Sequence, residues 1–227
     1  LPYSISYNIE LRPYAWMPRS KGFHADSGRG IVAVVFGVFV LTIAAYGLFF
    51  AYDILTVRGV GSTRLHFLFF AGCMLVVAAF ALLLISQMRV LAVDAFFCGM
   101  AALSLICFAL MVKALFFSLP RGTYSSAERG HSVYQGGMYA FCRHPGVFWY
   151  CLGFLFLALA FRSAPVVLSC LLLCAGNVAY MVFQDTWSFP RTFCDYQDYQ
   201  RNVPFFFPTR QSVRSAISSL SVKGGRA

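Results

Sequence analysis

The sequence predicts an all-α integral membrane protein of about five transmembrane helices, and three observations carry that expectation. Of its 227 residues, 59% are hydrophobic and only 11% charged, more apolar surface than a water-soluble domain of this size can hide. The apolar residues form long unbroken runs of membrane-helix length, without the period-2 alternation or spacing of a barrel. Lys113 is the only one of the 18 lysines and arginines to fall inside a run; the others sit in the connections.

In chain order, residues 1–29 read as a polar and aromatic N-terminal tail without a signal-peptide layout. The chain opens at Leu1 rather than Met, so further native residues are expected upstream. Runs at 30–52, 65–88 and 91–119 are each near or above the ~20 helical residues that cross a hydrocarbon core. A shorter run at 147–161 is followed by "RSAP" and a run at 165–183. The last two read as a tight helical hairpin, with Pro165 starting its second arm. Residues 30–208 form one transmembrane domain, and 209–227 read as a basic, flexible C-terminal tail.

The cysteines and the charge exclude other classes. Six of the eight cysteines lie within apolar runs, where the thiol behaves as a small hydrophobe. With no C-x-x-C and no paired ligand spacing, no structural metal is expected. The net charge of +10 has no nucleic-acid motif beside it, so membrane lipid is the expected counterpart, not nucleic acid. Asp94 and Lys113 are some 28 Å apart along one helix and cannot pair. Asp94 reaches the interface and Lys113 snorkels.

Five crossings put the termini on opposite sides. The N-terminal tail, the "QMRV" turn and Arg162 carry six lysines and arginines; the other side carries eleven. That side comprises the 53–64 and 120–146 connections and everything after 183, and the positive-inside rule makes it cytoplasmic. Two segments there are unusually aromatic, "YQGGMYAFCRHPG" at 134–146 and "DYQDYQRNVPFFFP" at 195–208. Such segments pack against a bilayer surface or against each other, which favours interfacial anchoring and a membrane-surface site equally.

"GMYAFCRHP" resembles the G-x-Y-x-x-x-R-H-P signature of the isoprenylcysteine carboxyl methyltransferase and phospholipid methyltransferase group. In that group an apolar hairpin, an acidic pair and Y-x-x-Y-x-x-x-V-P follow, then a further proline. Here the hairpin is followed by Gln184 and Asp185, then by Tyr196, Tyr199, Val203, Pro204 and Pro208 at the same spacing. The likeness covers roughly residues 90–208. It implies a multi-span enzyme that takes a methyl group from S-adenosylmethionine. The cofactor would be held at the cytoplasmic face between the 120–146 loop and the C-terminal segment, without a Rossmann fold; no G-x-G-x-x-G occurs. The acceptor would be lipidic, a prenylcysteine-type carboxylate or a phospholipid amine.

The residue types suit that chemistry. Methyl transfer is an in-line displacement, so the protein mainly positions two reactants and excludes water. A guanidinium grips a carboxylate with two parallel bonds, which makes Arg143 the candidate for the cofactor's carboxylate or for an anionic headgroup. His144 suits a hydrogen bond to the cofactor or the role of base. Pro145, Gln184 and Asp185 are the remaining motif positions expected to touch the cofactor, Asp185 at the ribose hydroxyls or the ammonium. Tyr139, Tyr196 and Tyr199 offer aromatic faces. Plainer roles stand beside each: lipid phosphate for Arg143, a satisfied interfacial ring for His144, a helix stop for Asp185, anchoring for the tyrosines.

The chain departs from the group's pattern at Val147 and Trp149, where tyrosine and glycine are usual, at Gln184, where an acid is usual, and at Phe193 with Cys194. Two further readings follow. One is a non-catalytic scaffold or lipid-binding descendant, with Gln184 recording a lost contact. The other is a reductase similar to the sterol-reductase group, using NADPH.

Overall fold

The computed structural model describes residues 21–59, 65–88, 93–118 and 132–224, with side chains between 30 and 219. Within them the chain is helical, without strands. Helix α1 is Lys21–Val57, α2 Leu65–Gln87 and α3 Ala95–Val112, the last continuing as a π-helical turn, Lys113–Phe117. A short α4, Met138–Phe141, leads into α5, Pro145–Phe161, and α6, Ala164–Phe183. A second π-helical turn, Gln184–Ser188, joins α6 to α7, Phe189–Thr192; α8, Tyr196–Asn202, and α9, Arg210–Gly224, complete the chain.

Local chemistry sets several of these boundaries. The Asp94 carboxylate caps α3 by accepting from the Phe97 N–H at 2.7 Å. Pro145 and Pro165 open α5 and α6, where a missing N–H costs nothing. Arg162 ends α5 in the left-handed region, at φ 49°, its N–H bonded to the Ala158 carbonyl.

α1 packs between α2 and α6, and α5 between α6 and α3. Phe80 closes the arrangement, meeting Phe108 of α3 and Phe154 of α5 edge-on at 5.7 Å each. The buried cluster of Val38, Leu83, Phe154, Leu157, Val166 and Leu173 draws on α1, α2, α5 and α6. α3 and α5 approach closely because Gly153 has no side chain. A Cβ there would lie 2.7 Å from the Phe108 ring, and the Ser104 hydroxyl donates to the Gly153 carbonyl at 2.8 Å. Outward faces carry exposed Phe36, Phe67, Leu105 and Leu171, surface that lipid solvates and water does not.

Among the described residues, four helical stretches are long and apolar enough to cross a membrane: Gly30–Val57, Leu65–Gln87, Ala95–Phe117 and Ala164–Thr192. α5, with 17 residues, reaches only about 25 Å, short of a ~30 Å core.

Four boundaries differ from the sequence expectation, the first at the start, where residues 21–29, expected in the N-terminal tail, open α1. Asp53 to Val57, expected in a connection, finish α1. The last crossing continues through its π-helical turn to Thr192 instead of ending at 183. The tail expected to be flexible is helical from Arg210, with Ala216 buried and the Ser219 hydroxyl accepting from the Gly137 N–H at 2.9 Å. Its spacing places small residues on α4, and that packing outweighs its polar composition. The expected tail at 1–20, the loop before 132 and the end at Ala227 lie outside the described residues.

Candidate functional site

The loop at 134–146 is held by the C-terminal segment. Gly137, at φ 59°, turns the chain into α4. After α4 the Arg143 N–H donates to the Pro204 carbonyl at 3.0 Å, which ties the loop to the tail. His144 then takes the N-cap position of α5. Behind it, the Tyr199 hydroxyl donates to the Tyr139 carbonyl at 2.7 Å, and the Tyr139 hydroxyl to the Ala114 carbonyl at 3.2 Å. The loop is thus fixed to both the tail and the end of α3.

One carboxylate organises the centre. Asp185 is buried on the second π-helical turn. Its Oδ1 receives the Tyr196 hydroxyl at 2.6 Å and lies 3.2 Å from His144 Nε2. Gln200 Nε2 donates to Asp185 Oδ2 at 3.2 Å and to its carbonyl at 2.9 Å. Arg143 Nε is 3.2 Å from the same Oδ1, an ion pair by distance, although its N–H is not aimed along that line. Arg143 Nη1 donates to the Gln200 carbonyl at 3.3 Å, and the guanidinium lies over the Phe205 ring at 5.2 Å. His144 stacks on Phe189 and meets Phe205 edge-on.

A cavity of about 340 Å³ opens beside this cluster, within the range of small-molecule sites. Of the eight residues expected to form the site, Tyr139, Arg143, His144, Pro145 and Gln184 line it. Asp185, Tyr196 and Tyr199 do not; they stand behind the wall. The two tyrosines, expected to present ring faces to a ligand, are each only 2% exposed and pack on one another. They brace the wall from behind. Arg143, expected to grip a ligand's carboxylate with two bonds, has its charge met by Asp185 and its Nη1 engaged, which leaves Nη2.

Part of the remaining wall comes from residues that no motif pointed to. Tyr52, Asp53 and Thr56 of α1, Phe69 of α2 and Tyr180 of α6 face the same space. Asp53 is buried and accepts from Gln184 Nε2 at 3.1 Å; the Tyr180 and Ser188 hydroxyls also reach it. Gln184 is thereby tied to a carboxylate 131 residues earlier in the chain. The available signal was an Asp following a tyrosine at the end of an apolar run, where a charge is costly without a purpose.

Burial sets the protonation states outside the spans. It lowers the pKa of His144, against an opposing pull from Asp185, so the neutral ring is favoured. With Asp185 ionised, Nε2–H donates to it and Nδ1 keeps a lone pair. Burial, then Asp185, pushes the Tyr196 phenol up, and burial pushes the Cys142 thiol up to about 12. Both stay neutral and serve as structure. Among the described residues no group of three His, Cys, Asp or Glu is placed to hold a metal ion. Comparison with protein-family models, with curated proteins and with solved structures finds no match to this chain.

Proposed function

We propose that this protein transfers a methyl group from S-adenosylmethionine to a lipidic acceptor at one membrane surface, the cytoplasmic one by the bias of its lysines and arginines. The observation that supports this reading best is the meeting of the two sequence segments on Asp185. Arg143 and His144 come from one segment, Tyr196 and Gln200 from the other, and a cavity lies directly against them. Nothing about five lipid-embedded helices requires such a cluster, and it is costly to bury. Its rigidity suits a reaction in which holding two reactants in line is most of the work.

The residues present fit the cofactor's chemistry in part. S-adenosylmethionine supplies a methyl group on a positively charged sulfur, and also carries an ammonium, a carboxylate and an adenosine. The cavity offers the remaining Arg143 donor, Nη2, for an oxygen, and aromatic and amide surface in Phe189, Phe193 and Gln184. The neutral His144 ring has a lone pair at Nδ1 for a proton, while its Nε2 is anchored. The exposed surface of the wall is mostly apolar, which suits a reaction with which water would compete.

Titration of the purified protein in a neutral maltoside detergent with S-adenosylmethionine, and separately with NADPH, tests the reading. The expected result is saturable binding of the first and none of the second, with label from its methyl group appearing in an added lipid extract. Binding of NADPH alone would point to a reductase, and binding of neither to a scaffold.

A further inference from the structure

The charges lining the cavity do not balance. The groups there that can bear charge are Asp53, Arg143 and His144. Arg143 has its counter-ion in Asp185, 3.2 Å away, and His144 is packed as a neutral ring between Phe189 and Phe205. Asp53 has only neutral donors: the Gln184 amide and the hydroxyls of Tyr180 and Ser188. Among the described residues no Lys, Arg or His stands within ion-pair distance of it. His66, on the facing helix, is bonded instead to the Tyr52 hydroxyl, at 3.3 Å. Asp53 is 7% exposed, so solvent screens it poorly, and three hydrogen-bond donors do not supply the missing positive charge.

Its surroundings narrow what would supply it. Tyr52, Phe69 and Tyr180 line the same end of the cavity, with the Tyr52 and Phe69 rings 5.6 Å apart. Ring faces attract an organic cation even where its nitrogen carries few N–H groups. A bare metal ion would find one carboxylate and no further anionic ligand. A carboxylate at this end of the cavity would bring a second negative charge next to Asp53, whereas Arg143, the guanidinium among the described lining residues, has its counter-ion in Asp185.

We propose that Asp53, with Tyr52, Phe69 and Tyr180, forms a subsite for an organic ammonium group, and that the acceptor of this protein is an amine and not a carboxylate. The word acceptor rests on the methyl-transfer reading; the cation subsite does not. An arriving ammonium completes the ion pair and holds Asp53 in its ionised form. The proton that such a nitrogen sheds before it can react has a nearby acceptor in the same carboxylate.

The test uses the full chain in a neutral maltoside detergent. Octylamine and octanoate are titrated in turn at neutral pH, and binding is read from the rise in unfolding temperature. Partition of either compound into micelles is the same for every variant and cancels in the comparison. Octylammonium is expected to bind, and Asp53→Asn to weaken it about tenfold, the difference between a charged and a neutral hydrogen bond. Asp53→Glu should retain binding, and octanoate should gain nothing from Asp53. Should Asp53→Asn not fold, Tyr52→Leu keeps the carboxylate, removes one ring and is expected to weaken octylammonium about threefold. Unchanged octylammonium binding in the folded variant would overturn the subsite.

S-adenosylmethionine titrated in parallel separates the sources of the cation. Its affinity should survive Asp53→Asn. If that affinity falls, with or without octylammonium's, Asp53 serves the cofactor's own cation and the amine acceptor is overturned. If S-adenosylmethionine binds neither protein while octylammonium binding still depends on Asp53, methyl transfer falls and the ammonium subsite stands.

Discussion

Each end of the helix bundle carries an arginine–aspartate pair, and the two are built differently. At the α3–α5 end away from the cavity, Arg162 Nη2 lies 2.7 Å from Asp94 Oδ2, with both side chains about half exposed. At the cavity end, Arg143 Nε lies 3.2 Å from Asp185 Oδ1, with exposures of 11% and 7%. By distance alone the first pair is the better one. Solvent screening reverses that order: an exposed pair gains little beyond what water already provides, whereas a buried pair is costly to form and more costly to break. Asp94 acts chiefly as a helix cap with an arginine attached. Asp185 is held by a tyrosine, a histidine, a glutamine and an arginine at once, and no helix needs that many partners to end. The dense hydrogen bonding around Asp185 is what supports reading the cavity end as the functional one.

The largest effect that would sharpen this contrast is expected from Asp185→Ala. It leaves the Arg143 guanidinium buried beside an empty place and removes the acceptor for the Tyr196 hydroxyl. A loss of about 3–5 kcal/mol is expected, read as a lower unfolding temperature in detergent. A change no larger than that of a surface mutation would mean that the cluster is solvated and the comparison fails.

A middle-sized effect should come from acid. Burial lowers the pKa of folded His144 below its unfolded value near 6.5, so the unfolded chain takes up a proton that the folded chain refuses. Stability is therefore complete above that value, falls as the pH drops through it, and levels off once the folded ring also titrates. The unfolding temperature should drop between about pH 7.5 and about pH 5.5, and His144→Gln should reduce the drop. An equal drop in both proteins would assign the titration to other groups.

The smallest effect belongs to the opposite end. Arg162→Ala removes the exposed partner of Asp94, and its unfolding temperature at neutral pH should match the wild type's within error. The hydrogen bond from Arg162 lowers the pKa of Asp94, so what little the pair contributes is present above the ordinary aspartate range and lost as pH falls below it. A clear loss of stability at neutral pH would show that the shorter distance, not burial, decides the value of these pairs.

Composition and run length by themselves determined the helical class, the membrane setting and the order of the apolar helices, because lipid leaves a chain few alternatives to satisfied helices. The cost of polar groups beside lipid also picked out Arg143 and His144, whereas Gln184 was singled out only through the resemblance. Periodicity could not tell that Tyr196 and Tyr199 brace the wall instead of facing the cavity. Nor could it show that Gln184 and Asp185, neighbours in the chain, point to different partners. A π-helical turn changes the angle between successive side chains, and its presence is not written in any short motif. Above all, only the tertiary structure brought Asp53 to Gln184. The two are 131 residues apart, on helices whose contact is set by how glycines and rings along α1 and α6 pack. A pair formed by packing at that distance has no local pattern to announce it.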